Sequence, residues 1–143
     1  MKEAMQIKGK LKIDLVRDGK VIQTQTTDNL IVTAGKNLVA QLVSGSGTSF
    51  THMAIGTSST AEAVANTALG TETGRVTLTS KVATNNVISY VGDFPAGTGT
   101  GTIVEASVMN ASSGGVMLNR ATFSAVAKTA SDALKITWDV TFG

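Results

Sequence analysis

Leu134-Lys135-Ile136-Thr137-Trp138-Asp139-Val140-Thr141-Phe142 alternates without a break: Leu134, Ile136, Trp138, Val140 and Phe142 fall on one side, Lys135, Thr137, Asp139 and Thr141 on the other. A two-residue period of this length marks a strand with one face in a core and one in water. The same reading applies near the front of the chain. Ile7, Leu11, Ile13 and Leu15 share a face opposite Lys8, Lys10, Lys12 and Asp14. Asp18-Gly19 follows, a dipeptide that supplies the positive φ angles of a two-residue hairpin turn, so Val21 to Thr27 is expected to return antiparallel.

Between these ends, short apolar runs are separated by Gly, Asn and Ser. Asn29-Leu30-Ile31-Val32 leads to Thr33, whose hydroxyl is placed to cap a short helix over residues 34–43 carrying Leu38, Val39 and Leu42, with Gly45 as its stop. Thr51 to Ile55 reads as a strand, and the small-residue stretch from Gly56 to Gly74 as an ordered loop long enough to be a contact surface. Alternation resumes at Arg75 to Thr79, turns near Asn85-Asn86 and returns through Ile88, Tyr90 and Phe94 to Pro95. Further strands are expected over Ile103 to Asn110 and Val116 to Ser124. Strands without intervening helices predict an all-β fold, an antiparallel β-sandwich or jelly roll with that one helix, as a single domain over residues 1–143.

Composition narrows the chemistry. Cysteine is absent and histidine occurs once, which removes disulfides, thiolate metal sites and paired imidazole ligands. Charged residues make up 15% of the chain, against about 25% in ordinary globular proteins, so its surface is filled by Thr, Ser, Gly and Ala. Net charge is only +2, with seven basic and four acidic residues through Lys36 and five and six thereafter. That is too weak for a nucleic-acid footprint. No apolar run is long enough to span a membrane, and Met1 to Gln6 lacks the apolar core of a signal peptide. The expectation is a protein made and kept in a cytoplasm, or assembled there into something larger.

Gly97-Thr98-Gly99-Thr100-Gly101 lacks the Lys-Ser/Thr or the following helix that a phosphate loop requires, and reads as a turn. His52 has no carboxylates at metal-ligand spacing and is expected to be packed or hydrogen-bonded. Glu62, Glu72, Asp93, Glu105, Asp132 and Asp139 are scattered along the chain, and no nucleophile elbow is present. Glu105 is expected to share a strand face with Ile103, Ser107 and Met109. A charge in that setting needs a cationic partner, which Arg75 or Arg120 could supply as a structural ion pair.

A further set of motifs runs through the chain: Asn29 to Gly35, His52-Met53-Ala54-Ile55-Gly56-Thr57, Thr67 to Glu72 followed by Arg75, Phe94 to Gly99, Glu105-Ala106, Asn110 to Gly115 and Ile136-Thr137-Trp138. In these the sequence resembles a group of small structural proteins of tailed bacteriophages, described variously as head decoration (cement) proteins and as tail or tail-fibre components. The chain departs from the group at Ala63 to Asn66, where its members tend to carry proline and glycine. The resemblance implies a non-enzymatic virion protein on the capsid surface, with no catalytic residues, cofactor or metal. Its implied partners are the major capsid protein and further copies of itself, as dimer or trimer, with neither nucleic acid nor membrane. Candidate capsid contacts are Lys8, Lys10 and Lys12 on the basic strand and Thr57, Glu62 and Asn66 in the loop. The alternatives are a tail or tail-fibre component, or a carbohydrate-binding β-sandwich for host attachment. The latter calls for exposed aromatic platforms, yet Trp138 is expected to be buried and Tyr90 is the only tyrosine.

Overall fold

The computed structural model describes residues 5–143; Met1 to Ala4, part of the stretch read above for a signal peptide, lie outside the described residues. In chain order the elements are β1 (Ile7–Arg17), β2 (Lys20–Asp28), β3 (Leu30–Ile31), α1 (Thr33–Val43), β4 (His52–Gly56), β5 (Glu72–Thr77), β6 (Ser80–Thr84), β7 (Val87–Phe94), β8 (Gly101–Met109), β9 (Asn119–Lys128) and β10 (Ala133–Phe142). They form two five-stranded antiparallel sheets, ordered β2-β1-β10-β7-β6 and β3-β9-β8-β4-β5. Successive strands pair within a sheet at β1–β2, β4–β5, β6–β7 and β8–β9. Of the two architectures expected, the sandwich is therefore the one observed.

The alternating strand that ends the chain is the centre of the first sheet. β10 lies between β1 and β7, with Trp138 opposite both Leu11 and Tyr90, and Leu134 opposite both Leu15 and Phe94. Leu134, Ile136, Trp138 and Val140 are buried, and they meet Met53, Ile55, Ile103, Ala106 and Val108 of the second sheet in one continuous core. The hairpin turn forms as its dipeptide requires, with φ of 52° at Asp18 and 75° at Gly19. The helix covers one end of the sandwich through Leu38, Val39 and Leu42. Its start differs from expectation. Val32 occupies the N-cap position with no side-chain cap, and the Thr33 N–H donates to the Val64 carbonyl at 2.9 Å, so a distant loop satisfies a helix donor that the Thr33 hydroxyl was expected to serve.

Two strand readings are corrected. The run from Arg75 toward Asn85 is two strands in different sheets: the chain crosses at Leu78 and Thr79, whose N–H groups donate to Thr51 of one sheet region and Val91 of the other. The strand expected over Val116 to Ser124 instead spans Asn119–Lys128, because Met117 makes only an isolated bridge to Met109. Asn119 Oδ1 then accepts the Val108 N–H at 2.9 Å.

A buried polar chain ties the sheets together. Trp138 Nε1 donates to Asn29 Oδ1 at 2.6 Å, and Asn119 Nδ2 donates to the same oxygen at 3.1 Å. Asn29 thus bridges the centre of the first sheet to β9, and it fits only because Gly9 has no side chain: a Cβ there would collide with the Asn29 amide. At the opposite end, Arg17 grips Asp132 with two bonds, 2.8 and 2.9 Å, and the Thr129 N–H adds a third at 2.9 Å. The Arg17 hydrogen bond holds the Asp132 carboxyl well below the usual carboxylate range. Close to it in sequence, Lys128 is buried and donates to the Pro95 carbonyl, and burial pushes its ammonium down.

Two outcomes follow for the core. Gly9→Ala should lower the unfolding free energy by roughly 2–3 kcal/mol, since displacing Asn29 leaves Trp138 Nε1 and Asn119 Nδ2 unpaired; an unchanged urea midpoint would contradict the bridge. Burial also pushes the Tyr90 phenol up to about 12. The folded value lies above the unfolded one, near 10, so this contribution to stability is complete below pH ~10 and is lost as pH rises toward 12. The single tyrosine makes this directly visible by ultraviolet titration: a native midpoint near 12 that falls to about 10 in denaturant is expected.

Candidate functional site: a loop clamped by a buried carboxylate

β8 does not keep one alternation along its length. A register irregularity between Ile103 and Glu105 puts the strand out of phase: Ile103, Ala106 and Val108 join the main core, while Glu105, Ser107 and Met109 face the other side of the second sheet. Glu105 therefore does not share a face with Ile103, as strict alternation predicts. It is nonetheless fully buried, because the loop from Thr57 to Thr71 lies over that outer face as a third layer. Beneath the loop, Val32, Ala54, Leu69, Met109 and Met117 form a second, smaller core.

Glu105 organises this layer. Its Oε2 accepts the N–H groups of Ser58 and Thr71, each at 2.9 Å, and its Oε1 accepts that of Gly70 at 2.8 Å and Arg120 Nε at 3.2 Å. Gly56 must lack a side chain here, since a Cβ would run into the Thr71 carbonyl and the Glu105 carboxylate. Arg120, also buried, continues outward: Nη2 donates to the Thr60 carbonyl at 2.8 Å and Nη1 to Asn66 Oδ1 at 3.3 Å. Glu62 turns back onto β9, accepting the Thr122 N–H and hydroxyl at 3.1 Å each. The Thr57 N–H closes the base of the loop on the Thr71 carbonyl. A segment without regular secondary structure is thereby fixed at both ends and along its length.

The expected ion pair thus forms between Glu105 and Arg120, at 3.2 Å. Arg75, the other cation named for it, is committed elsewhere: it binds Glu72 at 2.6 and 3.0 Å and donates through Nη1 to the carbonyls of Ala111 and Gly114. Of the loop residues named as contacts, Thr57 is exposed, whereas Glu62 and Asn66 are half-buried and serve the loop's own architecture. Glu62 is the loop's one charged residue, so the exposed surface made by residues such as Ser59, Ala61, Ala63, Val64 and Thr67 is uncharged.

The strand lysines sit elsewhere, on the outer face of the first sheet, and the register changes their meaning. Lys10 lies opposite Asp28 on one side and Asp139 on the other, Lys12 is 3.7 Å from Asp14, and Asp14 is itself opposite Lys135, which faces Asp93. With Lys8, the face carries four lysines and four aspartates. A strand that is basic in isolation becomes part of a charge-balanced sheet. His52 is held between the Thr51 and Thr77 hydroxyls, at 2.8 and 3.3 Å. Among the described residues, no three His, Asp or Glu side chains are gathered as a metal site, and no helix is long and apolar enough to cross a membrane. No protein-family model, curated protein or solved structure matches the chain.

Glu105→Gln should cost about 3–5 kcal/mol, because the amide turns an NH2 toward donors that need an acceptor and leaves Arg120 without its counter-charge. Hydrogen exchange at Ser58, Gly70 and Thr71 should accelerate more than at Ile136 and Trp138. Uniform acceleration would mean that the carboxylate does not clamp the loop locally.

Proposed function

We propose that this chain is a non-enzymatic virion structural protein: a capsid decoration protein that binds the assembled head of a tailed bacteriophage and stabilises contacts between capsomers. The major capsid protein is its partner on this reading, and the capsid surface its location. The resemblance to small phage structural proteins suggests the class. The observation that carries the mechanism is the clamped Thr57–Thr71 loop, an exposed and uncharged surface held by Glu105 and Arg120. A surface fixed before binding loses little conformational freedom on docking, so more of its contact energy appears as affinity. Specific contacts bury roughly 800 Å² per partner, and a shell offers many equivalent junctions, so modest single-site affinity multiplied over the particle suffices.

Docking through the loop rather than through the lysine strand has a distinct signature. Uncharged contacts are little screened by salt, whereas attraction of exposed lysines to an acidic shell is strongly screened. Binding to purified shells should change by less than about threefold up to roughly 0.5 M salt. Ala61→Glu and Val64→Glu should each weaken it by about tenfold or more without altering the melting temperature. Copy number in purified virions tests the assignment itself. Hundreds of copies per particle support decoration, a few copies support a tail or fibre component, and absence from particles overturns the virion reading.

A further inference from the structure

We propose that the free edge of β2 is a two-fold seam at which a second copy of this chain adds its own β2 antiparallel, joining two five-stranded sheets into one continuous sheet. β2 ends the first sheet, and its nine residues make it longer than the other edge strands β3, β5 and β6, of two, six and five residues. Among the described residues, β1 is the only strand that pairs with it. Edge strands are usually blunted by proline, by central charges or by bulges. Between Lys20 and Asp28, β2 carries neither proline nor charge, and its one irregularity is a bulge at Ile22, between Gln23 opposite Leu15 and Val21 opposite Val16; Val21-Ile22-Gln23-Thr24-Gln25-Thr26-Thr27 is neutral and suited to pairing.

The edge is also held ready. Gln23 and Gln25 donate to the Ala125 and Ser124 carbonyls of β9, which ties β2 to the second sheet and leaves its outer rim free. Val21 and Ile22 remain 56% and 48% exposed, two of the six large apolar side chains exposed among the described residues. Antiparallel pairing about Thr24 brings the Lys20 end of one copy to the Asp28 end of the other and sets Ile22 near Thr26 of its mate. Parallel pairing in register would instead stack Lys20 on Lys20 and Asp28 on Asp28, which is unfavourable. The ends of the strand thus select an antiparallel, self-complementary contact, as a two-fold interface requires. β6 offers a poorer edge, since it is shorter and its Lys81 is tied back to Ser49 and Phe50.

The seam stands on this edge alone, so it is tested on the free protein, apart from any shell. Sedimentation should give twice the chain mass. Ile22→Lys should raise the dissociation midpoint by roughly tenfold or more, while Val43→Lys, at a position 84% exposed on α1, leaves it unchanged. Because the chain has no cysteine, Thr24→Cys should form a disulfide-linked dimer on mild oxidation and Val82→Cys, on β6, should not. A species that stays monomeric at about 1 mM overturns the seam, as does a dimer indifferent to Ile22→Lys or linked equally well through position 82. A dimer that Ile22→Lys weakens but Thr24→Cys fails to link overturns the register.

Discussion

A carboxylate removed from water is tolerable only when its charge is met on every side, and Glu105 satisfies that condition with three backbone N–H groups and one guanidinium N–H. Three of those donors belong to a single loop. The loop cannot move away without stranding the charge, and the charge could not be buried without the loop, so each fixes the other. Arg120 extends the dependence by spending its remaining donors on Thr60 and Asn66. The outer face of the second sheet is thereby covered and β8 is buried on both sides, which is why Glu105 through Met109 is continuously inaccessible.

The two broad faces of the sandwich differ in kind. Over the second sheet lies a fixed layer whose one charged residue, Glu62, is half-buried, while the first sheet presents lysines and aspartates interleaved across β2, β1, β10 and β7. On the proposed reading the uncharged face meets the shell and the charged face is turned to solvent. The β2 rim lies at the side, where its use by a further copy would leave both faces free.

Much of the frame was legible because alternation is a local signal. β1, β10, the Asp18-Gly19 turn and the position of α1 follow from neighbouring residues alone. The phase slip in β8 was not, since nothing in the residues around Val104 distinguishes a bulge from a regular strand until β9 is laid beside it. The crossing at Leu78 and Thr79 was hidden for a similar reason: an apolar residue points inward equally well from either sheet. The charge balance of the lysine strand lay outside its own residues, because the aspartates opposite Lys10 come from β2 and β10. Glu105 could be identified as needing a cation, and Arg120 was among the two candidates. That its principal partners are backbone amides of Ser58, Gly70 and Thr71 has no sequence signature. Arg17 and Asp132 lie 115 positions apart, and only the pairing of β1 with β10 brings them together.

The place of β10 between β1 and β7 imposes an order on biosynthesis. As the chain leaves the ribosome, the β1–β2 and β6–β7 hairpins emerge early and remain separate, because the strand that must enter between them is made after all the others. Closure of the first sheet is a late, non-local event with a high entropic barrier, and slow folding is the expected result. Until it happens, Leu11, Ile13 and Tyr90 lack the neighbours that β10 supplies, and the nascent polypeptide carries that apolar surface as an aggregation hazard.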